Sequence, residues 1–148
     1  MKSERKSNLA AAAMISALAL VLAPAYSGCD GGDGGSRDFG DNDPNLVACM
    51  GDSITHGYMS VGAPFPSRLA TMSGKTVLNF GIPGAQSSKG TETIGSVVKR
   101  KPGYIFILYG SNDAIWKINP EITKQHLRYI VSVAKANKCV PILATPPR

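Results

Sequence analysis

Histidine is scarce in this chain: His56 and His126 are the two imidazoles in 148 residues. They stand far apart, and the three cysteines (Cys29, Cys49 and Cys139) are scattered. No set has metal-ligand spacing, so the expectation is no metal site and no cofactor. Aromatic residues make up 7% and do not interleave with the basic ones, which argues against nucleic acid as a partner despite a net charge of +6. No internal repeat is visible. Long apolar runs are lacking too, apart from Leu9–Ala25, broken by Ser16 and Pro24. At about 17 residues it stands at the lower edge of what spans a membrane.

What is present at the N-terminus has an order. Lys2, Arg5 and Lys6 precede the apolar run, and small residues follow it. Charge, apolar core, then small residues is the layout of a secretory signal. The alternative is an uncleaved anchor helix. Ser27, Gly28 and Cys29 resemble the lipobox of bacterial lipoproteins, with Tyr26 in place of the usual aliphatic residue. That resemblance implies a signal over residues 1–28, lipidation of Cys29, and an exported domain lipid-anchored to the membrane of the cell envelope. Residues 29–44, rich in Gly and Asp, can bury little and read as a flexible tether. Without the signal the chain keeps 13 basic and 9 acidic residues, and only Lys99-Arg100-Lys101 cluster.

From residue 45 to 148 short apolar runs alternate with helical patterns. Leu46–Met50, Thr76–Phe80, Tyr104–Tyr109 and Val140–Thr145 read as strands. Pro64–Met72 and Thr91–Lys101 read as helices, the second stopped by Pro102. A third helix is capped by Asn119, has Pro120 at its first position, and carries an inner stripe of Leu127, Ile130, Val131 and Ala134. This alternation predicts an α/β fold with a parallel sheet. The first strand stops at Gly51-Asp52-Ser53, leaving Ser53 on a loop at the strand's carboxyl end, where open α/β sheets bind ligands.

Three segments, each at a strand's carboxyl end, carry a resemblance. Gly51-Asp52-Ser53-Ile54-Thr55, Asn79-Phe80-Gly81-Ile82-Pro83-Gly84 and Gly110-Ser111-Asn112-Asp113 are similar, in order, to the blocks of the SGNH, or GDSL, hydrolase family. The resemblance covers nearly all of residues 45–148. It implies a flavodoxin-like, three-layer α/β/α sandwich with strand order 2-1-3-4-5. It also implies a serine esterase acting on an acyl ester, an acetyl-sugar or a lysophospholipid-like substrate, as a monomer. Ser53 would be the nucleophile. The oxyanion hole would be the Ser53 and Gly84 backbone N–H groups and the Asn112 amide, since donors aimed at the developing oxyanion lower the barrier. Asp52 would shape the turn, and the strand order would keep Cys49 and Cys139 apart as free thiols.

The family's base is a histidine in a late Asp-x-x-His motif, and neither His56 nor His126 has an aspartate three residues earlier. The chain is therefore expected to be truncated after Thr145-Pro146-Pro147, without the last strand, helix and base, and to be nearly inactive. Two other readings share the sheet. One is a non-catalytic remnant or carbohydrate-binding envelope lipoprotein; the other is a flavodoxin-like cofactor binder with Gly51–Thr55 as its phosphate loop.

Overall fold

The computed structural model describes residues 37–145. Four strands, β1 (Asp43–Gly51), β2 (Thr76–Gly81), β3 (Pro102–Leu108) and β4 (Val140–Leu143), form one sheet in the order β2-β1-β3-β4. All pairings are parallel. Five helices connect them: α1 (Ser53–His56), α2 (Phe65–Ser73), α3 (Ser87–Val98), α4 (Ser111–Ile115) and α5 (Pro120–Ala136).

The two faces of the sheet are covered differently. Successive strand residues point to opposite sides, so Ala48, Met50, Ile105 and Ile107 face one helix layer. There they pack with Ile94 and Val97 of α3 and with Ile130 and Ala134 of α5, all fully buried. Gly90 lets α3 come close, because a Cβ there would meet Ile130 Cδ1 and Tyr109 Cε2 at 2.7 Å. On the other face Phe106 meets Phe65 of α2, with ring centroids 5.6 Å apart. The expected α/β sandwich with a parallel sheet is what the chain forms.

Element boundaries differ from the sequence reading in places with local causes. β1 starts at Asp43 rather than Leu46, because Asp43 N–H donates to Lys101 O at 2.9 Å. Helix α3 starts a full turn before Thr91 and ends at Val98 rather than Lys101, the chain then turning through Lys101, which has φ of +54°. Pro102 is then buried as the first residue of β3.

Cys49, within β1, and Cys139, just before β4, are free and buried, with β3 between their strands. Burial pushes the Cys49 thiol up to about 12 and raises Cys139 as well. The thiolate is the reactive form. Native protein at pH 8 is therefore expected to react with a disulfide reagent at these two cysteines far more slowly than the same protein in denaturant. Rapid native labelling at Cys49 would contradict its burial.

Candidate active site at the carboxyl edge

Strands β2, β1 and β3, neighbours in the sheet, end level with one another. Gly51 of β1 is the register partner of both Gly81 of β2 and Leu108 of β3. Ser53 follows Gly51 by two residues, Gly84 follows Gly81 by three, and Asn112 follows Leu108 by four. Three neighbouring strands thus deliver these residues to one edge. Ile82 N–H, donating to Gly51 O at 3.0 Å, ties the loop after β2 to the end of β1.

Ser53 does not stand on an open loop, as its position after a strand suggested. It is the first residue of α1, capped by Asp52, whose side chain accepts from Ile54 N–H at 2.9 Å. Gly57, with φ of +85°, closes the helix after one turn. Asp52 is fully buried, in keeping with a shaping role, while Ser53 is partly exposed. As a first-turn group, the Ser53 N–H has no acceptor inside the helix. Behind it, Asn79 Nδ2 donates to His56 O at 3.4 Å, and Asn79 Oδ1 accepts from Gly81 N–H at 2.9 Å.

The loop after β2 turns at Gly84, with φ of +75°, a conformation side chains rarely adopt. A Cβ there would meet nothing within 4 Å, so this backbone fronts open space. Asn112, half-buried in α4, donates through Nδ2 to Ala85 O at 2.9 Å. That bond spans from the β3 loop to the residue after Gly84. It fixes the amide and engages one of its two N–H groups. The amide therefore bridges two loops and still has a donor to offer.

Sequence reading missed what stands behind Asn112. Asp113 is 3% exposed and accepts from Ser87 N–H at 2.9 Å, Ser87 Oγ at 2.5 Å and Thr123 Oγ1 at 3.1 Å. Ser87, the first residue of α3, is fully buried. Its hydroxyl oxygen also lies 2.9 Å from His126 Nδ1. A carboxylate only accepts, so the Ser87 O–H donates to Asp113 and its oxygen accepts from His126 Nδ1–H. This network pins the starts of α3 and α4 and the middle of α5 together. The doublet Asn112-Asp113 was the sole local signal of it.

The two histidines have separate places. His126 is half-buried on α5, engaged with Ser87, and borders a groove with Thr91, Glu92, Gln125 and Tyr129. His56 ends α1, exposed. Burial, with the Asp52 carboxylate adding to it, pushes Tyr109 at the end of β3 up to about 12 and keeps it protonated. Cys29 lies outside the described residues.

A parallel α/β sandwich with a capped serine and two loops gathered at its carboxyl edge is the architecture of the SGNH hydrolases. The profile of the GDSL-like Lipase/Acylhydrolase family matches residues 49–148, and the chain belongs to that family. The thioesterase 1/protease 1/lysophospholipase L1 of Escherichia coli strain K12 is 33% identical over 103 residues. That match takes in 67% of this chain and 50% of the relative, so the chain spans about half the length of the curated relatives it matches. A G-D-S-L family protein from Desulfitobacterium hafniense superposes with a TM-score of 0.65 at 31% identity, over 70% of this chain and 61% of the other. The SGNH-hydrolase family esterase AlinE4, at 24% identity, shares the fold with a TM-score of 0.63 over 72% and 62% of the two chains.

Proposed function

We propose that this chain carries the nucleophile and oxyanion hole of a serine ester hydrolase. Ser53 Oγ attacks the ester carbonyl, and the Ser53 N–H, the Gly84 N–H and the free N–H of Asn112 receive the oxyanion. One observation carries the reading. Three strands ending level place Ser53, the open backbone of Gly84 and the anchored Asn112 amide on one edge. The substrate is an acyl or acetyl ester or a lysophospholipid-like ester. The Escherichia coli relative's name supports the lipid and thioester end of that range. In this reading neither His56 nor His126 serves as the general base, processing at Cys29 anchors the domain, and the domain works as a monomer in the cell envelope.

Turnover of p-nitrophenyl acetate by these 148 residues is accordingly expected roughly a million-fold below that of an intact triad, with only the residual contribution of the oxyanion hole. A fluorophosphonate should still add slowly to Ser53, located by mass spectrometry, and Ser53→Ala should abolish the adduct. Adducts at other serines would remove the site from Ser53. Robust turnover lost in Ser53→Ala would place a base within this chain, with His56 the first to replace.

A further inference from the structure

The basic residues are dispersed along the chain, yet the fold gathers most of them at one end. In a parallel sheet the strands share an amino edge, and the returning helices bring their carboxyl ends to it. Lys99, Arg100 and Lys101 follow α3, while Lys135 and Lys138 lie at the end of α5. Lys75 precedes β2, its ammonium donating to Pro44 O at 2.9 Å, and Arg37 leads toward β1. Among the described residues these seven face only Asp38, Asp41 and Asp43, a surplus of +4 at one edge, where all described residues together carry 12 basic and 7 acidic groups, or +5. Lys101 pairs with Asp41 at 3.6 Å and Lys138 with Asp38 at 2.7 Å. Lys99, Arg100 and Lys135 are exposed and form no salt bridge among the described residues. A groove of about 580 Å³ opens at this edge, bordered by Phe39, Asp41, Lys99, Lys101, Asn137 and Lys138.

The chain also enters the domain at this edge. Phe39 packs edge-on against Tyr104 at 5.4 Å, Asn42 Nδ2 donates to Asn137 O at 2.7 Å, and Asp38 holds Lys138. Cys29 precedes Asp38 by nine residues, a span of about 30 Å at full extension. The nine residues of β1 alone cover about 30 Å, and Ser53 lies at their far end. An anchor at Cys29 therefore brings the basic edge to the membrane first.

We propose that the amino edge is a docking face for an anionic phospholipid surface and holds the Ser53 edge outward. The orientation rests on the N-terminal anchoring proposed above, whereas the charge surplus does not. The consequence for that same site is a substrate class. Within the range proposed above it selects an ester arriving from the aqueous side, an acylated carbohydrate or soluble ester, against the lysophospholipid end to which the Escherichia coli relative's name points.

Acetylation footprinting of the full chain on vesicles tests this without requiring activity. On phosphatidylcholine vesicles containing roughly 30% phosphatidylglycerol, Lys99, Lys101, Lys135 and Lys138 should label roughly threefold more slowly than on pure phosphatidylcholine. About 0.5 M salt, where the Debye length falls below ~5 Å, should remove the difference. Lys117 and Lys124 should label alike on both. Trp116, the one tryptophan of the chain and 68% exposed on the serine side, should not be quenched by brominated lipid. Equal labelling of all lysines on vesicles that do carry the chain would overturn the docking face alone. Failure to float with either vesicle would overturn the anchoring as well. Quenching of Trp116 would show the opposite edge meeting the bilayer, and equal protection by duplex DNA would make the face a general polyanion site; either result overturns the proposal.

Discussion

Gly81→Ala is expected to lower the stability of the domain by about 3 kcal/mol, the upper part of the usual cost of overpacking. A Cβ at this position would lie 2.6 Å from both His56 Cα and Thr55 C. These are backbone atoms of α1, so no rotamer change relieves the clash. The strand end or the serine helix must move, and either displaces Ser53. A drop in melting temperature of about 10 °C or more should follow for a domain of this size. Gly95→Ala is the control: a Cβ there meets nothing within 4 Å on an exposed position of α3. That change should be neutral or stabilise by about 1 kcal/mol, the ordinary gain of alanine over glycine in a helix. Equal melting temperatures for the two variants would mean that α1 does not press on β2.

Asp113→Ala should cost about 3–4 kcal/mol, read as a lower urea midpoint with little change in slope. The carboxylate receives three hydrogen bonds, two from fully buried Ser87. Removing it strands the buried Ser87 N–H, leaves the Ser87 hydroxyl with His126 alone and frees the Thr123 hydroxyl, and an unpaired buried group costs about 1–3 kcal/mol. Thr123→Val, which deletes one partly buried bond, should cost about 1 kcal/mol by comparison. Hydrogen exchange adds a local reading, because the Ser87 amide should lose its protection in Asp113→Ala before α5 does. A loss below about 1 kcal/mol would show that the carboxylate is dispensable for holding α3 to α4.

The parts of the fold that were legible owe it to local chemistry. β1, β2 and β3 are apolar runs bounded by Gly and Pro; β1 and β3 are buried between the helix layers of a parallel sheet, while β2, at the edge of the described sheet, is half-buried. Helix α5 announces itself through the Asn119 cap, which accepts from Glu121 N–H at 2.9 Å, and through Pro120. The start of helix α3 does not, since the acceptor at its first residue is a carboxylate 26 positions later. Helices α1 and α4, of four and five residues, are too short for any periodicity. The same division holds at the site. Ser53, Gly84 and Asn112 sit in motifs at strand ends, so spacing finds them. Ser87 and His126, 39 residues apart, meet only because α3 and α5 pack side by side. The gathering of lysines at the amino edge was hidden for the same reason, being a property of where elements end.

The central place of β1 also sets a timetable. Its neighbours on both sides, β2 and β3, come later in the chain. A nascent polypeptide therefore presents Val47-Ala48-Cys49-Met50, a run that is fully buried at the end, with neither flank paired. Its second flank closes only after Leu108, 57 residues past Gly51, has been made. At about 5–20 residues per second that is roughly 3–11 s of exposure during synthesis. For those seconds the strand that aims the serine is an apolar segment with an unpaired edge, the kind of surface that invites aggregation.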